Sequence, residues 1–462
     1  MKPMSSSVAM KATHYKKFLI FVLLAGLMFT NLDREVLGLS MQSIKADLSL
    51  SDTELGFLTG IAFALFYSLL GFPLARLADY GDRVILIAVT AALCGMAVAL
   101  CGAATTFIQL IVIRVAVAVG ETGFIPTANS LIAESFSRAE RPRALSTYLL
   151  GGPLSVVVGY FLGGWLIEDY GWRWAFVAMG CPGLLLAIVV WFGLKEPRRA
   201  PSVDERRSYA RKSAPGLVSA SDSQARQPSL REFLKIILHS RTFRQLLYSY
   251  VVLSFFDYGR GQWMPAFYER SFGISPGSLG IWLAVVFGVC GTVGVYLGGV
   301  LSARYAPNNE RMQLRVMAGI YVISTILSIC VYLTRSRNLA FSLTAVKSVI
   351  SPIATAPFYA ILQALVPERM RAQSTAFLLL VSNLVGMGFG PLAAGALSDA
   401  LHTAFGEESL RYTLLALSPG FLWCAWHTWH SGNTVTADLA AVESMARHSP
   451  GRTTTREVSG VA

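Results

Sequence analysis

Charge is what this chain has least of. Only 14% of its 462 residues are Asp, Glu, Lys or Arg, and 54% are hydrophobic, whereas a soluble domain carries roughly 25% charged residues. That balance, with a mean hydropathy of +0.52, excludes a water-soluble domain. A phosphate-binding loop, a nucleophile elbow and an HExxH metal motif are all missing, which argues against ATP-driven pumping or hydrolytic chemistry by this chain. The six cysteines (Cys94, Cys101, Cys181, Cys290, Cys330 and Cys424) fall inside apolar stretches without metal-ligand spacing, so neither disulfides nor zinc is implied. The six histidines show no paired spacing within an apolar run, and His427 and His430 read as interfacial. No metal and no cofactor is expected. The net charge of +12 comes without any nucleic-acid-binding module, so anionic headgroups are the expected partners and nucleic acid is not. No small-residue cleavage site follows the run that begins at Phe18 after Lys11, Lys16 and Lys17, and that run is expected to stay as the first membrane span.

What the chain has in abundance is long apolar runs. Stretches of at least about 18 mainly apolar residues occur near 18–43, 54–78, 84–104, 107–133, 144–168 and 172–194, and again near 243–270, 277–303, 313–334, 338–365, 372–398 and 410–430. The expectation is an all-α membrane protein with twelve transmembrane helices in two six-helix bundles. The bundles occupy residues 18–194 and 243–430, with tails at 1–17 and 431–462 and a linker at 195–242. Between Lys195 and Arg244 stand twelve Lys/Arg against five Asp/Glu. This linker shares its side of the membrane with the loops that carry Arg76 and Arg83, Arg138, Arg141 and Arg143, Arg304, Arg311 and Arg315, and Arg369 and Arg371. Positive-inside logic makes that side the cytoplasm, with both termini on it. The intervening loops hold Asp47, Asp52, Glu168, Asp169, Glu407 and Glu408.

The two groups of spans match at an offset of 228. Ala75, Arg76 and Arg83 fall on Ala303, Arg304 and Arg311, and Arg143, Ala144, Ser146 and Thr147 fall on Arg371, Ala372, Ser374 and Thr375. A duplicated six-helix unit with a site at the interface of the repeats is a transporter architecture. The loop arginines repeat but the intramembrane charges do not: 114 plus 228 is Ser342, and 121 plus 228 is Val349. Repeated residues are therefore assigned to scaffold and gating, and unrepeated charges to chemistry.

Those charges start with Arg114 and Glu121 in IVIRVAVAVGETGF, seven residues apart with no charged residue between them. At about 100° per residue both look the same way, roughly 10.5 Å apart along the axis. Ionisable groups at that depth normally face a bundle interior or a water-filled cavity. Asp33 and Arg34 on the first span lie at a depth broadly similar to that of Arg114, with Glu121 deeper. A carboxylate that alternates between an arginine and a proton can couple protonation to conformation, so Asp33 and Glu121 are the candidate proton-coupling pair. Arg34 and Arg114 are candidate anion-binding cations. In the second half Asp257, Arg260 and Lys347 are candidate substrate contacts, and Trp263 opens an aromatic cluster able to hold an acyl or aromatic body.

Several segments resemble a known family. ARLADYGDRV, Ala75 to Val84, is similar to the Gly-x-Leu-Ala-Asp-Arg-x-Gly-Arg-Lys signature of the major facilitator superfamily: Leu77, Ala78, Asp79 and Arg83 match, and Ala75, Tyr80, Asp82 and Val84 depart from it. NLDRE at Asn31 to Glu35, the Arg114 and Glu121 spacing, and GWRWAF at Gly171 to Phe176 together resemble the spinster branch, over most of residues 18–430. The resemblance implies alternating access and, in relatives, export of lysolipids, sphingoid phosphates or other amphipathic organic anions, often with proton coupling. Asp79 and Arg83 would then form a cytoplasmic gate.

The expectation is thus a monomeric, proton-coupled secondary transporter of the cell membrane for an amphipathic or organic anion, and not an enzyme. The alternatives are a proton-linked importer of a small aromatic or hydrophilic carboxylate and, from another class, a membrane receptor or membrane enzyme. Cysteine labelling tests the topology: a residue introduced at Ser213 reacts from the cytoplasm and one at Gly406 from outside, and labelling on one side would overturn the two-bundle arrangement.

Overall fold

The computed structural model describes residues 6–196, 230–307 and 309–447. It is helical throughout, with no strand among the described residues. The first half comprises α1 (Ser6–Leu48), α2 (Asp52–Thr59), α3 (Ile61–Tyr80), α4 (Arg83–Cys101), α5 (Phe107–Ser135), α6 (Arg141–Leu149) and α7 (Gly151–Gly193). The second comprises α8 (Leu230–His239), α9 (Arg241–Gly261), α10 (Met264–Phe272), α11 (Pro276–Leu283), α12 (Gly291–Tyr305), α13 (Glu310–Leu333), α14 (Arg337–Ile350), α15 (Thr355–Ala364), α16 (Arg371–Ser382), α17 (Gly390–Phe405), α18 (Ser409–Leu417) and α19 (Gly420–Arg447).

Polar residues at the ends of the apolar runs set where helices begin. Asp82 accepts from the Ile85 amide, Thr106 from Gln109 and Ser336 from Leu339, each satisfying a backbone donor that the first helical turn leaves unpaired. Glycine makes the reversals. At Gly171 (φ 81°) α7 doubles back into its second half, and Gly406 (φ 55°) turns α17 toward α18, conformations that a β-carbon disfavours.

Among the described residues, nine helical stretches are long and apolar enough to cross a membrane. Two of them, 141–193 and 371–442, contain the Gly171 and Gly406 reversals and accommodate two passes each. The α9–α10 segment is too polar to be counted by hydropathy. With it, the set accommodates the twelve expected passes.

The duplication is visible in the helix starts. Arg83 and Phe107 open α4 and α5, and their positions plus 228, 311 and 335, lie within two residues of the starts of α13 and α14. The linker expected at 195–242 is not wholly without structure. Its last part forms α8, whose Phe233 and Ile237 are buried against the second half. The tail expected from 431 begins as a continuation of α19, which buries Val435.

Three apolar cores organise the molecule. One lies within the first half around Leu19, Phe124 and Tyr148, and one within the second around Phe243, Tyr321 and Phe358. The third joins the halves, packing Val36, Leu58 and Phe63 with Trp263, Leu279 and Met387. It lies toward the end opposite the first turns of α1 and the last turns of α19. That end is closed, and the halves separate toward the tail end.

Candidate functional site

Two seams close the molecule, and both depend on glycine. An added β-carbon at Gly56 would stand 2.4 Å from the Pro391 carbonyl, and one at Gly60 2.3 Å from that of Gly388. Across the other seam, a β-carbon at Gly164 would meet the Pro276 carbonyl at 2.5 Å, and one at Gly280 would meet that of Tyr160 at 2.2 Å. Helices approach this closely only where side chains are absent. Gly60 plus 228 is Gly288, which presses on Val157. Gly288 and Gly388 both lie in π-helical turns, Ala284–Cys290 and Asn383–Phe389, a distortion common at functional positions.

Charge reinforces the seams. Asp52, 1% exposed, receives both Arg270 guanidinium nitrogens at 2.7 and 2.6 Å, Lys45 at 2.6 Å and the Ser398 hydroxyl at 2.7 Å. Asp399 accepts the Asp52 and Thr53 amides at 3.0 and 2.7 Å, at the first turn of α2. Across the other seam Glu168 accepts the Gly277 amide at 2.7 Å, at the first turn of α11. Each half thus offers a carboxylate to a helix N-terminus of the other, where free amides and the helix dipole favour negative charge. The sequence reading treats Asp52 and Glu168 as ordinary loop acids and does not single out Arg270 or Asp399. The only available signal is that an acid and a base fall at opposite ends of spans in different halves.

Beneath the closed end α1 and α5 are cross-braced. Asp33 pairs with Arg114, and Arg34 pairs with Glu121 at 2.5 Å. The four charges expected to meet do so, but as two pairs between helices; Arg114 and Glu121 share a face without bonding each other. Phe63 on α3 lies 4.8 Å from the Arg34 guanidinium and 5.0 Å from that of Arg114, contacts that favour cations over a ring face. Asp33 Oδ1 and Glu121 Oε2 are buried without a hydrogen-bond partner among the described residues. The Arg34 side chain is 27% exposed and that of Arg114 only 3%, so Arg34 is the cation that looks into the open space. Glu35, one residue on, lies against Tyr160 of α7.

In the second half Asp257 pairs with Arg260 at 2.8 Å, and its side chain is 57% exposed. Lys347 does not join them: its ammonium donates to Ser328 at 2.6 Å and lies 4.8 Å from the Phe421 ring, and among the described residues no carboxylate pairs with it. Trp263 is fully buried and donates its indole N–H to Pro391 at 3.0 Å. In this conformation it packs in the closed seam and does not line the open space. Of the expected gate, the Asp79 side chain lies outside the described residues. Arg83 pairs with Glu134 on α5, and its amide donates to Glu196 at 2.7 Å, so it ties elements of the first half together. At the same end Lys16 bonds Glu140 at 2.7 Å and holds that carboxyl well down, at about 2.

The sequence matches the family described as Major Facilitator Superfamily over residues 23–391. An MFS-type efflux pump of Mycolicibacterium smegmatis is 30% identical over 389 residues, 83% of this chain and 85% of that protein. A probable galactarate/D-glucarate transporter of Bacillus subtilis is 27% identical over 64% of this chain and 67% of its own length. The crystal structure of a bacterial homologue of the human lysosomal transporter spinster, inward-facing and unoccupied, superposes with a TM-score of 0.79 at 26% identity, covering 92% of this chain and 98% of that one.

The Asp52 hub yields a direct test. Removing one partner of a buried ion pair costs about 3 to 5 kcal/mol, so Asp52→Asn is expected to raise the population open at this end more than tenfold. The readout is labelling of Thr59→Cys, buried between the halves, by a membrane-impermeant maleimide. Unchanged labelling in a folded Asp52→Asn protein would show that the hub does not hold the seam.

Proposed function

The chain belongs to the Major Facilitator Superfamily, and from that premise we propose that it carries a small organic anion across the membrane by proton-coupled alternating access. It is a multi-pass membrane transporter and not an enzyme. With the basic loops placed inside, the closed end is the outer one and the open space faces the cytoplasm.

The observation that carries the proposal is the cross-brace between α1 and α5. Four ionisable groups, three of them (Asp33, Arg114 and Glu121) almost fully buried, are expensive in a membrane interior, and such groups mark ion and substrate pathways. Glu121 gives Arg34 one oxygen and has the other free. A proton on Glu121 would remove the charge that holds Arg34 and leave the guanidinium to take the carboxylate or phosphate of the cargo in bidentate fashion. Asp33 would play the same part toward Arg114, deeper in protein. In the facing half Asp257 and Arg260 form a further ion pair, and Lys347 adds a buried amine bonded to Ser328.

Two cargo classes fit this charge pattern. The apolar side chains beside the open space (Phe377, Leu379 and Leu380) favour an amphipathic, lysolipid-like anion. The relative described as a galactarate/D-glucarate transporter favours a small hydrophilic carboxylate. Uptake and efflux by proteoliposomes over both classes, with and without a pH gradient, separates them.

The coupling has its own test. Glu121→Gln is expected to flatten the response of transport to a pH gradient at least tenfold while the protein stays folded and monodisperse, and Asp33→Asn to act likewise if the two carboxylates work as one site. Arg114→Ala mainly weakens anion binding. A folded Glu121→Gln, Asp33→Asn double variant with wild-type pH-dependent transport would sink the proposal.

A further inference from the structure

The α7–α11 seam rests on a carboxyl that the α1–α5 brace does not use. On α7 the turn from Val157 to Tyr160 receives the second half: an added β-carbon at Gly288 would meet Val157 Cγ2 at 2.3 Å, and one at Gly280 would meet the Tyr160 carbonyl at 2.2 Å. The Tyr160 ring lies 6.1 Å from that of Phe287 in the π-helical turn. The opposite side of the same α7 turn lies on α1. There Gly159 leaves room for Glu35, whose Cβ and Cγ would stand 2.9 and 3.1 Å from an added β-carbon, and whose carboxyl faces the Tyr160 phenol.

Glu35 is half-buried and among the described residues forms no ion pair. Its neighbours on α1 are already engaged, Asp33 with Arg114 and Arg34 with Glu121, both from α5. From α7 it meets only the phenol. The segment Pro276–Cys290, which forms α11 and the π-helical turn, contains no charged residue, and Cys290 is its one titratable group. The α9–α10 segment meets α1 at Gly38 through Gln262 and Pro265. Its Asp257 and Arg260 bond each other, and its Glu269 and Arg270 lie further out, where Arg270 binds Gln42 and Asp52.

The duplication supplies a second, independent observation. Position 35 plus 228 is 263, and Trp263 takes the corresponding place in the other seam. Its indole N–H donates to the Pro391 carbonyl, the same carbonyl against which Gly56 closes, as Gly280 closes against that of Tyr160. An indole is neutral and a donor at every pH. A carboxyl is a neutral donor only while it holds a proton, and as a carboxylate without a cation it must be solvated. One seam is thus backed by a permanently neutral group and the other by a group that can change its charge.

We propose that Glu35 is a second protonation site, separate from the α1–α5 brace, and that its charge sets the α7–α11 seam: the seam closes over the neutral acid and opens over the carboxylate. The closed state then holds one more proton than the open state. Acid favours closure and rising pH favours opening, by at most about tenfold in the open-to-closed ratio per pH unit for a single group. The proposal goes beyond the anion-transport reading, because it concerns when the outer end opens and not what passes.

The test reads the seam without cargo. Nitroxide labels are attached at Tyr170→Cys on α7 and Ile281→Cys on α11, 59% and 53% exposed, in the full chain carrying Cys181→Ala, Cys290→Ala and Cys330→Ala, and their separation is measured by pulsed EPR. The long-distance population is expected to rise at least about fivefold from about pH 5 to about pH 8, and Glu35→Gln is expected to hold the short distance throughout. Should Glu35→Gln fail to fold, Glu35→Ser removes the same titration. A separation that ignores pH, or a response that survives in a folded Glu35 variant, overturns the site. A response abolished by Glu121→Gln while Glu35 is intact would assign it to the brace and overturn the site as well. Anion transport by a chain whose seam ignores pH would remove the Glu35 site and leave the transport reading standing; a seam that responds through Glu35 in a chain that moves no anion would do the reverse.

Discussion

Close backbone approach at one end of the molecule is the constraint on which the rest depends. At Gly56, Gly60, Gly164 and Gly280 a β-carbon would overlap a carbonyl of the other half, so these contacts exist only because glycine stands there. In a bilayer, where lipid tails are as apolar as leucine, such contacts and polar bonds between helices supply much of the association energy. Asp52 and its partners add the polar part. Since the joining core lies at this end while the other two cores stay within their own halves, the open space and the exposure of Arg34 and Asp257 follow from the seal.

The seal is also arranged to be reversible. Asp399 and Glu168 bind amides at the first turns of α2 and α11, groups that water can satisfy equally well once the end opens. Asp52 and Arg270 differ, because both are nearly excluded from solvent here, and their separation must be met by hydration of both charges. Glycine approaches and carboxylate-to-amide bonds occur on both seams, so on the proposed reading a rotation of one half against the other breaks both together, while the Asp52 hub belongs to one seam alone. Gate and scaffold are in this sense the same residues.

Much of this was legible in the sequence, for identifiable reasons. Apolar run length set by bilayer thickness reveals the spans, and the 228-residue offset reveals the duplication; helix rise alone places Asp33 beside Arg114. The pairing of Arg34 with Glu121 was not legible, because depth along an axis leaves the rotation of one helix against another undetermined. The Asp52 hub was hidden for a related reason: its partners Arg270, Ser398 and Lys45 come from three separate helices, and both basic residues stand within a turn of a loop, where charge normally means solvent. Trp263 looked like a cargo contact because aromatic clusters suit both packing and binding, and only the neighbour at Pro391 tells which one holds in this conformation. The amphipathic face of α8 was masked by the basic linker around it.

The first half holds two cations against two carboxylates in the α1–α5 brace, whereas the second holds Arg260 and Lys347 near a single carboxylate, Asp257. On the proposed reading, a proton reaching Glu121 leaves Arg34 as an uncompensated cation at the centre, and an anionic cargo there restores the balance. Proton and anion would then each favour the arrival of the other, and thermodynamic reciprocity requires the two effects to be equal in size. Were the anion instead to displace Glu121 from Arg34 while that carboxylate remained charged, two negative groups would share one guanidinium in a medium of low dielectric, where like charges repel strongly. On that reading the anion binds together with a proton more favourably than alone, and the coupling would lie in one ion pair instead of in a distant network.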